Sequence, residues 1–214
     1  MRPTPGVVAL ATMSSYPQAM PPLRKSSYTA HKRYEGKHRF EHWYKDNQVY
    51  FITSRCRDKF AAFETAEAKG IFWDRFSHHA NRFGFTPWVT SLLDNHYHTL
   101  GYLKTGENLG PFIRRFHGSV AKLVNDILPH RHVPFWRSAG NQDYFDGCIR
   151  DALQARRAYR YTLLQAVRHG IATDYRLYPH TRVAIDVERA IERATELKAF
   201  LQGVPYKRYE RHGR

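Results

Sequence analysis

Cysteine is nearly absent from this chain: Cys56 and Cys148 are the only two in 214 residues. They build neither a disulfide framework nor a Cys-rich zinc module, so any metal site must use other side chains. A reducing cytoplasm is the expected compartment. Acidic residues are also few, 19 Asp plus Glu against 34 Lys plus Arg, which leaves a net charge of +15 and a pI near 10. That excess calls for a polyanionic partner, nucleic acid first. No apolar run approaches the ~20 residues of a membrane span. The arginines are spread over several elements instead of lining one helix face, which argues against a basic membrane-surface helix.

What is present suits a folded domain: 42% apolar and 14% aromatic residues are enough for one sizeable core. Residues 1–35, with Pro17, Pro21 and Pro22, read as a flexible lead. Gln48–Thr53 reads as a first strand, and residues 61–83 as a helix with Phe63, Phe72, Phe76 and Ala80 on one stripe. Phe85–Leu93 and Tyr97–Leu103 form a strand pair about the turn signal Asp94-Asn95. Asn108 is a fitting N-cap for a helix whose Phe112, Ile113, Phe116, Val120, Val124 and Ile127 keep the three-four rhythm. Val133–Trp136 is strand-like. Asp143 then fits as the cap of a helix reaching about Arg168, and a last helix covers residues 185–201 before a basic tail at 207–214. These elements predict an α+β fold with a mainly antiparallel sheet and packed helices.

Two histidines one residue apart on a strand project from the same face, so His96 and His98 are placed to grip one metal ion. The second such pair, His130 and His132, lies between Pro129 and Pro134 and reads as a basic loop. Tyr144 falls in the first turn of its predicted helix, where backbone N–H groups and the positive dipole end favour a phosphate or a developing phenolate. Tyr159 and Tyr161, deeper in that helix, are assigned to structure. Arg114, Arg115 and Lys122 line the polar face of the preceding helix. Arg150, Arg156, Arg157 and Arg160 follow Tyr144, and all seven are candidates for contact with DNA.

In this order the motifs form a pattern. Asn95-His96-Tyr97-His98 in a strand pair, a helix, Phe135-Trp136, then Tyr144-Phe145-Asp146 running to Ile149-Arg150-Asp151 and an Arg- and Tyr-rich helix resemble the HUH single-tyrosine transposases. The similarity spans about residues 45–180 and is greatest to the REP-associated tyrosine transposases. It implies a ferredoxin-like HUH nuclease fold over residues 36–183, followed by a helix and basic tail at 184–214. It also implies a Mg²⁺ or Mn²⁺ ion at His96 and His98, and Tyr144 as the nucleophile. The implied activity is nicking and transfer of single-stranded or hairpin DNA through a 5′-phosphotyrosine, in a cytoplasmic, DNA-associated protein. Tyr97 stands where relatives have an aliphatic residue and Asp94 where they have proline. The position expected for a third metal ligand holds Cys148, a soft ligand ill matched to Mg²⁺, with Asp146 as the nearby substitute. Two other readings use the same residues: a non-catalytic DNA- or RNA-binding protein, and a metal-dependent phosphoesterase in which water replaces the tyrosine. The oligomeric state is open.

Overall fold

The computed structural model describes residues 45–136 and 143–202, which belong to one compact unit. The expected lead at 1–35 and tail at 207–214 lie outside the described residues. Aromatic and β-branched residues form β1 (Gln48–Arg55), β2 (Phe85–Leu92) and β3 (His96–Leu103). β3 is the centre of the sheet. β1 pairs along one side of it, from Gln48 opposite Leu103 to Arg55 opposite His96, and β2 along the other. β4 (Phe145–Cys148) adds to the free side of β1 and β5 (Thr181–Val183) to that of β2. The order is β4-β1-β3-β2-β5 with every neighbouring pair antiparallel.

Helix α1 (Ala66–Phe83) connects β1 to β2, and α2 (Leu109–Ile127) lies between β3 and β4. The first four strands and these two helices are the βαββαβ arrangement of a ferredoxin-like fold, as expected. Both helices cover one face of the sheet. Phe72 and Phe76 of α1 and Phe112 and Phe116 of α2 meet Tyr50, Ile52, Tyr97 and Leu103 there. The other face carries α3 (Ala152–Leu163), followed by α4 (Gln165–Arg168) and α5 (Val187–Leu201). Ala155, Tyr159, Leu163 and Val187 pack on Val89 and Leu100 of that face.

Several element starts differ from the sequence reading. α1 begins at Ala66, not near Ala61, because the Thr65 hydroxyl accepts from the Ala68 N–H at 3.2 Å and caps it. Asn108 caps nothing; its amide donates to the Phe83 carbonyl at 3.1 Å. The helix expected from Asp143 is replaced by β4. α3 starts only after Asp151, whose carboxylate accepts from the Gln154 N–H at 2.7 Å. Val133–Trp136 contributes one isolated bridge, between Trp136 and Cys56. Among the described residues no helix is long and apolar enough to cross a membrane.

Candidate active site on the α3 face

Alternation along β3 decides what each face of the sheet can do. Tyr97 and Leu103 enter the core under α1 and α2, while His96, His98 and Leu100 point to the α3 face. Register adds neighbours, since Arg55 stands opposite His96 and Thr53 opposite His98 on the same face. Phe51 stacks on the His98 ring, centroids 5.9 Å apart. From the helical layer, the half-exposed Tyr161 meets His98 edge-on at 5.1 Å and Phe51 at 5.9 Å. One turn later the buried Gln165 stands beside the His96 ring and donates to the Tyr161 carbonyl at 2.8 Å. A further turn brings the His169 ring to 5.1 Å from His96, and the Arg168 guanidinium lies 5.1 Å over the Tyr161 ring.

Both histidines of the pair are held neutral. Burial, with His169 and Arg55 nearby, pushes His96 down to about 4, and burial with His96 beside it pushes His98 down to about 3. A neutral imidazole is the metal-binding form. Asn95 sets the orientation of the His96 ring. Its amide nitrogen donates to the Lys59 carbonyl at 3.0 Å, so its Oδ1, 2.6 Å from His96 Nδ1, receives that ring's proton and leaves Nε2 with the lone pair. His98 Nδ1 is buried without a hydrogen-bond partner. Among the described residues no three His, Cys, Asp or Glu side chains converge as a ligand set. A divalent ion at this place would take the two imidazoles and the Gln165 carboxamide oxygen, a mixed nitrogen and oxygen set.

Other residues singled out by sequence lie elsewhere. On β4, Cys148 stands opposite Tyr50 and Asp146 opposite Ile52, so Tyr144, Asp146 and Cys148 share the α1/α2 face. The Tyr144 ring packs edge-on to His117 of α2 at 6.0 Å. The sheet therefore stands between Tyr144 and the histidine pair, and neither Cys148 nor Asp146 reaches that pair as a third ligand. Arg114, Arg115 and Lys122 are exposed on α2, in the layer away from the pair. On α3, Arg157 precedes Tyr161 by one turn on the same stripe, whereas Arg160 is ion-paired with Glu188 of α5. Arg150 is exposed beside the Asp151 cap, at the end of α3 away from Tyr161, and Arg156 is half-buried. Sequence reading missed Arg55, Gln165 and His169 and set Tyr161 aside. The available signal was the spacing of Tyr161, Gln165 and His169, a polar stripe repeating every helical turn.

The ferredoxin-like sheet with helices on both faces has counterparts among solved structures. The solved structure of a REP-associated tyrosine transposase bound to a REP hairpin matches with a TM-score of 0.57, covering 83% of this chain and 98% of that one at 13% identity. A protein assigned as a transposase from Deinococcus radiodurans R1 overlaps less, with a TM-score of 0.41 over 55% of this chain and 91% of that one at 14% identity. No protein-family model matches the sequence, and no curated protein does. At 13% identity the likeness to the first of these is one of fold, the level at which the sequence resemblance is borne out.

Proposed function

We propose that the protein nicks and rejoins single-stranded DNA through a covalent link to Tyr161, in the manner of a tyrosine transposase. The observation that carries this is the position of Tyr161: half-exposed, 5.1 Å from the His98 ring, and one turn ahead of the Gln165 that stands beside His96. This transfers to Tyr161 the role that the sequence suggested for Tyr144. The Tyr161 hydroxyl releases its proton to solvent as its oxygen attacks the scissile phosphorus, a P–O bond to the tyrosine forms, and the bond to the 3′ oxygen breaks. The products are a 5′-phosphotyrosine and a strand end that takes up a proton as a 3′-hydroxyl. Since the number of phosphoester bonds is conserved, a second 3′-hydroxyl can reverse the step on another strand without a nucleotide triphosphate.

Mg²⁺ or Mn²⁺ held by His96, His98 and Gln165 would supply Lewis acidity at the phosphate. Arg55, Arg157 and Arg168 surround the same place with positive charge suited to the DNA backbone. Tyr161 and Phe145, 41% and 43% exposed, offer rings on which unpaired bases can stack. Charge and exposed aromatics support DNA as the partner. A hairpin-ended strand is the substrate form to try first, because the related fold was solved bound to a REP hairpin.

The test is a denaturing gel that follows labelled hairpin-ended single-stranded DNA from the flanks of the gene, with Mn²⁺ or EDTA. Wild type and Tyr144→Phe are expected to give a metal-dependent covalent adduct, and Tyr161→Phe none. An adduct that survives in Tyr161→Phe would return the nucleophile elsewhere. Metal-dependent cleavage by wild type with no adduct would make the protein a phosphoesterase, and binding without cleavage a non-catalytic DNA-binding protein.

A further inference from the structure

The donors at the histidine pair are all uncharged. His96 and His98 are buried and held neutral, and the Gln165 carboxamide has no charge to offer. The His169 ring beside His96 adds another group that is never an anion. A Mg²⁺ or Mn²⁺ ion is ordinarily held by one or two carboxylates together with the phosphate oxygens of a substrate. Among the described residues, the carboxylate whose charge bears on His96 is that of Asp94, and its Oδ1 is already taken by the Lys69 ammonium at 2.7 Å. The charges that bear on His98 include no carboxylate.

The charge that reaches both rings is positive. Arg55 stands opposite His96 across the β1–β3 ladder, where facing side chains start about 5 Å apart at Cβ, and its guanidinium acts on His96 and His98 alike. A divalent ion that enters this set of neutral donors alone is repelled by Arg55, with no anion in the set to offset the repulsion. A backbone phosphate changes both terms. It gives the ion negatively charged oxygens and it pairs with the guanidinium.

Resting on the reading of the histidine pair as the metal site of a DNA-cleaving enzyme, we infer that Arg55 makes metal entry depend on DNA. The divalent ion binds weakly to the protein alone and tightly once a backbone phosphate joins it beside Arg55. The coupling is reciprocal, so the ion tightens the strand by the same factor by which the strand tightens the ion. Its consequence is an order of assembly: Lewis acidity arises on the strand to be cut, and the protein without DNA holds little metal at the pair.

The test uses the full-length protein carrying Tyr161→Phe, which on the same reading leaves the strand uncut. Mn²⁺ is titrated with and without a hairpin-ended single strand, and the unbound ion is followed by its electron paramagnetic resonance signal. The strand alone, and His98→Gln with the strand, give the Mn²⁺ held elsewhere. The expected result is one additional ion, missing in His98→Gln, that binds about tenfold more tightly with the strand than without it. Arg55→Gln is expected to raise the Mn²⁺ affinity of the protein alone about tenfold and that of the strand complex little, because the phosphate already offsets the guanidinium. Arg82→Gln removes an exposed cation from the end of α1, on the other face of the sheet, and is expected to leave both affinities unchanged. Coupling of full size in Arg55→Gln would take the role from Arg55. An ion held equally tightly with and without the strand would overturn the coupling and leave the metal site standing. No ion at the histidine pair in either state would overturn this inference and the metal site together, and the adduct assay then judges DNA cleavage by itself.

Discussion

His96, His98 and His117 are buried and neutral, and each ties folding to proton concentration. Burial holds His117 down to about 3, next to about 4 for His96 and about 3 for His98. In the unfolded chain all three return to the ordinary value near 6.5. As the pH falls through that value the unfolded state takes up protons that the native state refuses, so stability drops until the folded values are reached. Each histidine contributes a slope of up to about 1.4 kcal/mol per pH unit in that window. The expected outcome is a urea midpoint that falls steeply between pH 6.5 and 5, with a gentler fall in His98→Gln, which has no imidazole to charge. A midpoint flat from pH 7 to 5 would show that the imidazoles ionise inside the fold. Tyr97 illustrates the other use of burial. It is fully enclosed, bonded to His117, and its phenol is held well above the ordinary range by burial, with Tyr144 adding to the effect. The aromatic ring between the two histidines is thus a core residue of the opposite face, and its departure from the aliphatic pattern leaves the histidine pair unaltered.

At the scale of elements, the start of α3 decides where its tyrosine stands. Asp151 receives the Gln154 N–H, and the core stripe Ala155, Tyr159 and Leu163 then docks on the sheet with Tyr161 at its exposed margin. Removing the cap by Asp151→Ala is expected to cost about 1 kcal/mol and Asp151→Asn only a fraction of it, read from urea unfolding. Equal losses in the two variants would mean that the carboxylate's charge, not the cap, is what matters. The sheet core and the histidine pair were legible because β1, β2 and β3 are long and rich in β-branched and aromatic residues, and period two fixes which side chains share a face. β4 was not. Phe-Asp-Gly-Cys holds two residues disfavoured in strands, and its pairing with β1 comes from a segment far along the chain. Asp143 and Asp151 both precede helix-compatible residues, so local signals alone could not choose between them. Choosing the first turned Tyr144 into a helical residue and hid the face on which β4 puts it. Tyr161 was passed over for a related reason: an interior helical tyrosine usually packs, and only the placement of α3 over His98 distinguishes it from Tyr159.

For the whole molecule, composition announced a polyanion but not where it runs, because a net charge of +15 has no direction until the chain is folded. The fold gathers six exposed basic residues into two groups. Arg55, Arg157 and Arg168 stand near the histidine pair, and Arg114, Arg115 and Lys122 stand on α2 behind the sheet. A strand confined to the face of the histidine pair would leave the α2 group in solvent, whereas one that turns around the end of the sheet would use both. Counterion release separates these paths, since each phosphate neutralised on a single strand adds about 0.7 to the slope of log affinity against log salt. Replacing Arg114, Arg115 and Lys122 together by Gln is expected to flatten that slope by about 2 for a strand long enough to reach both faces. For an oligonucleotide too short to leave the histidine site, the same variant keeps the wild-type slope. Anisotropy titrations at four or more salt concentrations with strands of increasing length make the measurement. A slope that ignores the α2 charges at every length would confine the DNA to the face of Tyr161.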